Sequence, residues 1–291
     1  MQRFRYQSLQ ERSVRGTDGT RIFYERGGVG TPLLFCDGLL CEGHIWKYLI
    51  PALQSGHDCL HWNYPGHGSS QDPSYWADLS IERLADDAAI VIDHAGVKDV
   101  TVVGHSLGVQ VALELWHRHR ELISGLVLLC GSPGRIIESF HESAILGYMV
   151  PLFDVITRFL PNLASRAWRS LPTDWILRTT LRSREVNDRL IRAPDLAEYV
   201  ARMNRVDIRI GLHILEGAGH HDATPYLSEI DVPTLVIAGE EDSFTPSRRS
   251  SLMASTIPDA QLMMVPGGTH SLPLEQPDLV ILRVRRFLNE R

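Results

Sequence analysis

The 291-residue sequence lacks the features that mark several large classes of protein. It has no uncharged apolar run long enough to cross a membrane, so we expect no membrane span. Its first residues contain no apolar segment of the kind that forms a signal peptide, which favours a cytoplasmic protein. The net charge is −6, so no excess of basic residues predicts binding to nucleic acid. We expect a small molecule as the partner, and the sequence leaves the oligomeric state open.

Motifs for binding nucleotides or metals are missing as well. No Gly-x-x-x-x-Gly-Lys-Ser/Thr run occurs, and the glycine-rich loop Gly27–Gly30 does not join a strand to a helix. The four cysteines show no zinc-like spacing and are predicted to be reduced thiols, although proximity leaves a Cys36–Cys41 disulfide open. The adjacent His220 and His221 point in different directions and have no third ligand at a known spacing. We therefore expect neither a metal nor an organic cofactor.

The chain instead alternates short apolar runs with stretches of helical spacing. A hairpin is predicted over residues 13–25, and later strands at Pro32–Cys36, Asp58–Asn63, Asp99–Val103, Ile123–Leu129, Thr234–Ala238 and Gln261–Val265. Helices are predicted near Ile45–Leu53 and at Ile81–Ala95, Val109–Trp116, Pro246–Thr256 and Gln276–Arg291. The apolar face of the last helix is expected to contain Leu279, Leu282, Val284 and Phe287. Strands that alternate with helices favour an α/β fold, in which helices cover both faces of a mostly parallel sheet.

Residues 135–229 break this alternation. They contain helical stretches separated by prolines, and no clear strand. We predict that this segment is a helical cap inserted into a core formed by residues 1–134 and 230–291. The segment is rich in large apolar side chains, some of which we expect to line a cavity for an apolar substrate group rather than only to pack the cap. The side chains expected to line that cavity are Tyr148, Phe153, Trp168 and Trp175.

The run Gly104-His105-Ser106-Leu107-Gly108 joins a predicted strand to a predicted helix. Gly-x-Ser-x-Gly in that setting is typical of a nucleophile elbow, in which a serine occupies a sharp, strained turn. Glycines are needed at both ends because the strand and the helix crowd together there. The backbone N–H of Leu107 then lies at a helix N-terminus, which favours negative charge. The pattern therefore predicts Ser106 as a nucleophile.

A serine hydroxyl needs a base to accept its proton and a third group to orient that base. In an α/β sheet such groups follow the carboxyl ends of strands. Glu240, Glu241 and Asp242 follow one predicted strand, and His270 follows the next. These positions make His270 the candidate base, whereas His105 inside the elbow is expected to be a packed side chain. The residues alone leave the choice among the three acids open.

The chain order serine, acid, histidine is that of the α/β-hydrolase family, and over its whole length the sequence resembles the capped, esterase-like and lipase-like members. The family's Gly-x-x-Asp loop is matched by Gly239–Asp242. Its His-x-x-x-x-Glu-x-Pro run is matched by His270–Pro277, and a glycine-rich turn by Pro65–Ser69. An early loop departs from the pattern, because it reads Asp37-Gly38 where the family usually has His-Gly. The resemblance implies that Asp242 is the acid.

The resemblance further implies a serine hydrolase that cleaves a carboxylic ester through an acyl-enzyme on Ser106. Its oxyanion hole would consist of the backbone N–H groups of Leu39 and Leu107. The same residues would also support the hydrolysis of a lactone, a thioester or a carbon–carbon bond, perhydrolysis without a cofactor, or acyl transfer. A non-catalytic binding module is a further alternative, although such proteins usually lose a triad member. Relatives with an aspartate nucleophile are disfavoured by the serine at position 106.

Asp37 is the unusual residue of the expected site. A carboxylate that pointed into the oxyanion hole would repel the negative charge that develops there. We therefore expect the Asp37 side chain to turn away and accept backbone N–H groups of its own loop, as short acidic side chains do.

Overall fold

In the computed structural model of the protein, the structure describes residues 9–74, 78–134, 160–172 and 186–290. Eight strands of these residues form one sheet in the order β1-β2-β4-β3-β5-β6-β7-β8. Their bounds are β1 Gln10–Arg15, β2 Arg21–Gly28, β3 Thr31–Cys36, β4 His57–Trp62, β5 Val100–His105, β6 Ile123–Leu129, β7 Thr234–Gly239 and β8 Ala260–Val265. Only the β1–β2 and β2–β4 pairs of this sheet are antiparallel. The predicted mostly parallel sheet and the hairpin are confirmed.

Nine α-helices lie in the described residues. They are α1 Leu49–Leu53, α2 Ile81–Ala95, α3 Leu107–Arg118, α4 Pro161–Ser170, α5 Ala193–Met203, α6 Ile208–His220, α7 Ser247–Thr256, α8 Leu272–Glu275 and α9 Pro277–Asn289. The first predicted helix is in fact divided, because a 3₁₀ turn at His44–Trp46 precedes α1. None of these helices is long and apolar enough to cross a membrane.

Helix α2 shows how local signals set the bounds of an element. The hydroxyl of Ser80 accepts a hydrogen bond from the backbone N–H of Arg83 and caps the first turn. Gly96 ends the helix in the left-handed conformation, with φ 67°. The predicted bounds of this helix are therefore confirmed.

Alternate side chains of the buried strands pack into two apolar cores, one on each face of the sheet. Leu34 of β3 packs in the core that includes α2 and α3. The adjacent Leu33 packs in the core that includes α1 and α9. Because successive side chains of a strand point to opposite faces, helices cover both faces of the sheet, as predicted.

The predicted apolar face of the last helix is wrong in part. Val280, Val284 and Phe287 are buried, and they follow the i, i+4, i+7 spacing of one helical face. Leu279 and Leu282 lie to the side of that face and are 37% and 67% exposed. A helix with more apolar residues than its buried face can hold leaves the surplus at the surface.

Helices α4, α5 and α6 lie between β6 and β7 in the chain. The exit from β6 and the return towards β7 meet at an isolated bridge between Gly134 and Asp222. Helix α6 packs against loops that follow β3 and β4: a Cβ on Gly211 would lie 2.6 Å from Leu40. In the same way, a Cβ on Gly66 would lie 2.2 Å from Ile210 of α6.

Candidate active site

Ser106 occupies the turn between β5 and α3, with φ 55° and ψ −118°. A positive φ is strained for a residue with a side chain, and such strain occurs where the surrounding structure imposes it. A Cβ on Gly104 would lie 2.4 Å from the carbonyl oxygen of Gly108. A Cβ on Gly108 would lie 2.1 Å from the carbonyl oxygen of Cys36, at the end of β3. Both glycines are therefore required by backbone contacts across the elbow.

His270 joins Ser106 to Asp242 in one chain of hydrogen bonds. Its Nε2 lies 2.8 Å from Ser106 Oγ, and its Nδ1 lies 3.0 Å and 3.2 Å from the two carboxylate oxygens of Asp242. A carboxylate only accepts, so Nδ1 carries the proton and leaves Nε2 of the neutral ring to accept the serine hydroxyl. This is the tautomer that a general base needs.

Asp242 is held by further donors from the turn that follows β7. Its Oδ1 accepts the backbone N–H groups of Phe244 and Thr245 at 3.0 Å and 2.9 Å. Its Oδ2 accepts the Thr245 hydroxyl at 2.8 Å. The neighbouring Glu240 and Glu241 are exposed, whereas Asp242 is buried. Of the three acids that the sequence offers, Asp242 is the one that contacts His270.

Two buried side chains hold the loop that carries His270. Glu275 accepts hydrogen bonds from the backbone N–H and the hydroxyl of Thr269 at 2.9 Å and 2.5 Å. Nε2 of His105 donates to the backbone carbonyl of His270 at 2.9 Å. Burial lowers the pKa of His105 to about 3, so its ring stays neutral. His105 is thus a packed side chain that ties the elbow to the His270 loop.

The loop after β3 packs directly on the elbow. The strands β3 and β5 are neighbours, with Cys36 in register with Gly104. A Cβ on Gly38 would lie 3.2 Å from the Cβ of Ser106. Leu39 follows in this loop and is half-buried, while Leu107 is the first residue of α3. An N–H in the first turn of a helix has no intrahelical acceptor, so that of Leu107 can serve a ligand.

Asp37 turns into its own loop, as expected. Its Oδ2 accepts the backbone N–H of Gly43 at 2.9 Å. Two side-chain donors were not foreseen: the indole of Trp46, 2.7 Å from Oδ1, and Nε2 of His61, 3.0 Å from Oδ2. The hydroxyl of Tyr64 donates to the Asp37 carbonyl at 2.7 Å. The carboxylate is therefore fully engaged by the protein.

His61 lies between two carboxylates. Its Nδ1 is 3.8 Å from Glu25 Oε2, and its Nε2 faces Asp37. Burial alone would lower the pKa of His61, but the charges and hydrogen bonds of Asp37 and Glu25 raise it to about 9. The ring is therefore an imidazolium at neutral pH.

Of the four side chains predicted to line a cavity, Trp168 lies in the described part of the chain. It is half-buried beside an apolar group made of Leu40, Val206 and Ile208. The other three, Tyr148, Phe153 and Trp175, lie outside the described residues.

The adjacent histidines at the end of α6, His220 in its last turn and His221 just after it, differ in their surroundings. His220 is exposed, and His221 is buried with Nε2 3.1 Å from Glu114 and Nδ1 3.2 Å from the amide nitrogen of Gln110. Both ring nitrogens of His221 thus contact helix α3. No group of three metal-ligating side chains occurs among the residues that the structure describes.

Sequence reasoning missed Thr245 as a support of Asp242 and His61 as a partner of Asp37. Thr245 stands three residues after the acid, where a short hydroxyl side chain often bonds within a turn. His61 stands in an apolar strand next to β3, and its ring is polar where neighbouring positions are apolar. That contrast is the signal that could have identified it.

Comparison with known proteins gives consistent matches. A family model described as alpha/beta hydrolase fold matches residues 31–277. A provisionally assigned carbamate hydrolase of Azorhizobium caulinodans is 28% identical over 264 residues, which are 89% of this chain and 91% of that protein. A non-heme chloroperoxidase of Kitasatospora aureofaciens is 26% identical over 267 residues, 90% of this chain and 92% of that one. The structure of an esterase from Exiguobacterium antarcticum, 18% identical, superposes with a TM-score of 0.76 and coverages of 95% and 98%.

Proposed function

The chain belongs to the α/β-hydrolase fold family, and on that premise we propose that it is a serine hydrolase that cleaves a carboxylic ester. The observation that carries the proposal is the unbroken chain of hydrogen bonds from Ser106 through His270 to Asp242. These groups have the geometry of a nucleophile, a base and a group that orients the base.

In the proposed reaction, Ser106 Oγ attacks the acyl carbon while His270 Nε2 takes the hydroxyl proton. The C–O bond to the alcohol then breaks, and His270 gives the proton to the departing alcohol. Water attacks the acyl-enzyme with His270 again as the base, which releases the acid and restores Ser106. Asp242 holds His270 in the required tautomer and stabilises the imidazolium that forms in each step.

The negative charge of each tetrahedral intermediate needs donors that are in place beforehand. We assign this role to the backbone N–H groups of Leu39 and Leu107. The close contact between Gly38 and Ser106 supports the assignment, because it brings the loop of Leu39 against the nucleophile. Both donors belong to the backbone, so their apolar side chains are compatible with the role.

We assign residues 135–229 as a helical cap that contributes the substrate pocket. The contacts of α6 with Leu40 support this assignment, since Leu40 is adjacent to the expected oxyanion donor. Trp168, Met203 and Leu212 are half-buried around the same apolar group. Side chains of this kind favour an apolar acyl or alcohol group, because each buried CH₂ contributes about 0.8 kcal/mol.

The chemistry is tested with an organofluorophosphonate and a panel of p-nitrophenyl esters, lactones and thioesters. We expect the reagent to label Ser106, and Ser106→Ala to lose esterase activity on the order of 10⁴-fold or more. Ser250→Ala is the matched control, because Ser250 is a buried serine of helix α7 outside the proposed triad. An adduct at another residue, no adduct, or full activity in Ser106→Ala would contradict the proposal.

The substrate class is tested with esters of increasing acyl length. We expect kcat/KM to rise from acetate to medium-chain esters and then to fall, and Trp168→Ala to reduce the gain from each added CH₂. Leu163→Ala on the same helix is the control, because Leu163 is 58% exposed. If acetate is the best substrate and Trp168→Ala changes nothing, the apolar pocket is refuted.

A further inference from the structure

Three buried ionisable side chains meet next to the loop that carries Leu39. Glu25 of β2, His61 of β4 and Asp37 after β3 are 3%, 2% and 1% exposed. The sheet order brings them together, because Glu25 is directly in register with His61, and β4 lies between β2 and β3. We call these three residues the buried charge cluster. It contains two carboxylates that are bridged by one imidazole.

Asp37 ties both ends of the loop to this cluster. The chain leaves β3 at Asp37 and passes through Leu39, and the N–H of Gly43 then returns to the Asp37 carboxylate. His61 also packs against the far end of the loop: Gly43 has φ 77°, and a Cβ there would lie 2.6 Å from the His61 ring. His61 therefore contacts the loop at both ends, at the Asp37 carboxylate and beside Gly43.

We propose that His61 is a positioning residue of the acyl-transfer reaction: bridging Asp37 and Glu25, it holds the loop so that the Leu39 N–H meets the oxyanion. This inference rests on the proposed function of Ser106. It also gives a physical reason why an acidic residue is tolerated at position 37. The imidazolium neutralises a carboxylate that would otherwise oppose negative charge at the neighbouring nucleophile.

If His61 positions the loop, kcat should depend on the protonation state of the His61 ring. Its pKa is raised to about 9 by Asp37 and Glu25, so the bridge loses its positive charge at alkaline pH. Three further titratable groups that face Asp37 stay neutral in that range. Burial raises the pKa of Cys41 to about 12 and that of Tyr64 well above its usual value, and it lowers the pKa of His67. Glu42 also faces Asp37; burial raises the pKa of its carboxyl group, and the nearby Arg205 and Arg202 oppose that rise.

The decisive variants are Glu25→Gln and a matched control, Asp58→Asn. Glu25 faces His61 from the neighbouring strand, and it belongs neither to the Asp37–Gly43 loop nor to the proposed triad. Asp58 is a buried carboxylate on β4 that pairs with Arg26 of β2, so it bridges the same two strands without contacting the cluster. Both changes remove one carboxylate between β2 and β4, and only the first acts on His61.

Ester hydrolysis is followed in a pH-stat from about pH 6 to 10. We expect wild-type kcat to fall with a midpoint near the His61 pKa of about 9. Glu25→Gln should move that midpoint to lower pH by about one unit, with KM unchanged, because an oxyanion contact acts in the transition state. Asp58→Asn should keep the wild-type midpoint. His61→Gln, which retains an amide donor towards Asp37 without the charge, should lower kcat at pH 7 on the order of 10-fold and abolish this alkaline fall.

The outcomes separate this inference from the proposed function. If the fluorophosphonate fails to label Ser106 in the wild type, the proposed function fails and the inference fails with it. If Ser106 is labelled but Glu25→Gln and Asp58→Asn have the same alkaline midpoint, the positioning role alone is refuted. Should Glu25→Gln not fold, the wild type still decides, because kcat that stays constant up to pH 10 overturns the inference.

Discussion

The buried charge of His61 predicts a specific pH dependence of folding stability. The pKa of His61 is raised from 6.5 to about 9, because the two carboxylates outweigh the effect of burial. A raised pKa means that the folded state holds the proton more tightly, so the stabilisation is fully present below about pH 6.5 and is lost as the pH rises through about 9. At roughly 1.4 kcal/mol for each unit, the full contribution amounts to about 3 kcal/mol.

The perturbation that isolates this contribution is His61→Gln. Urea unfolding of the wild type and the variant is followed by tryptophan fluorescence at several values from about pH 6 to 10. Other groups also titrate in this range, but their effects cancel in the difference between the two proteins. We expect the difference in unfolding free energy to shrink by about 3 kcal/mol from the lowest to the highest pH, with equal m-values. A difference that stays constant, or that grows towards alkaline pH, would refute a charged His61.

Three further predictions concern the triad, the elbow and metals. Asp242→Asn should fold normally but lose about 10⁴-fold in kcat, because an amide can donate to His270 and stabilise the wrong tautomer; kcat within about 10-fold of the wild type would contradict this role. Gly108→Ala should destabilise the protein by about 1–3 kcal/mol or more in urea unfolding, because its Cβ would lie 2.1 Å from the Cys36 carbonyl oxygen; unchanged stability would be the opposite result. Incubation with EDTA should leave esterase activity intact, whereas loss that zinc restores would indicate a metal site.

The parts of the fold that the sequence predicts well are those set by neighbours in the chain. Helix α2 begins at a serine cap and ends at a left-handed glycine, and both residues can be recognised in the sequence as typical helix ends. The elbow is equally local, since Gly104 and Gly108 flank Ser106 within one turn. One general rule, that polar side chains follow the carboxyl ends of parallel strands, is enough to predict His270 as the base and to limit the acid to three neighbouring residues. The choice of Asp242 among those three depends on the resemblance to the family.

The errors arise where the outcome depends on how many apolar side chains one face can bury. Leu279 and Leu282 in α9 have the same chemistry as the buried residues of that helix, yet they lie outside the face that the sheet covers. The helix predicted from Ile45 is likewise interrupted at its start. Trp46 is fully buried in a 3₁₀ turn, where its indole donates to Asp37. Composition cannot distinguish these cases, because the tertiary neighbour decides them.

The partner of Asp37 could not be predicted for a different reason, which is the order of the strands. His61 belongs to β4 and Glu25 to β2. These strands follow one another as β2, β3, β4 in the chain but as β2, β4, β3 in the sheet. The sequence shows the departure from the family pattern at position 37. That a buried cation lies beside Asp37 can be recognised only once the strand order is known, with β4 between β2 and β3. A carboxylate next to a proposed oxyanion hole needs an opposite charge in any arrangement of the sheet. The departure at Asp37 should therefore be read together with His61, and a change at either residue is expected to affect the other.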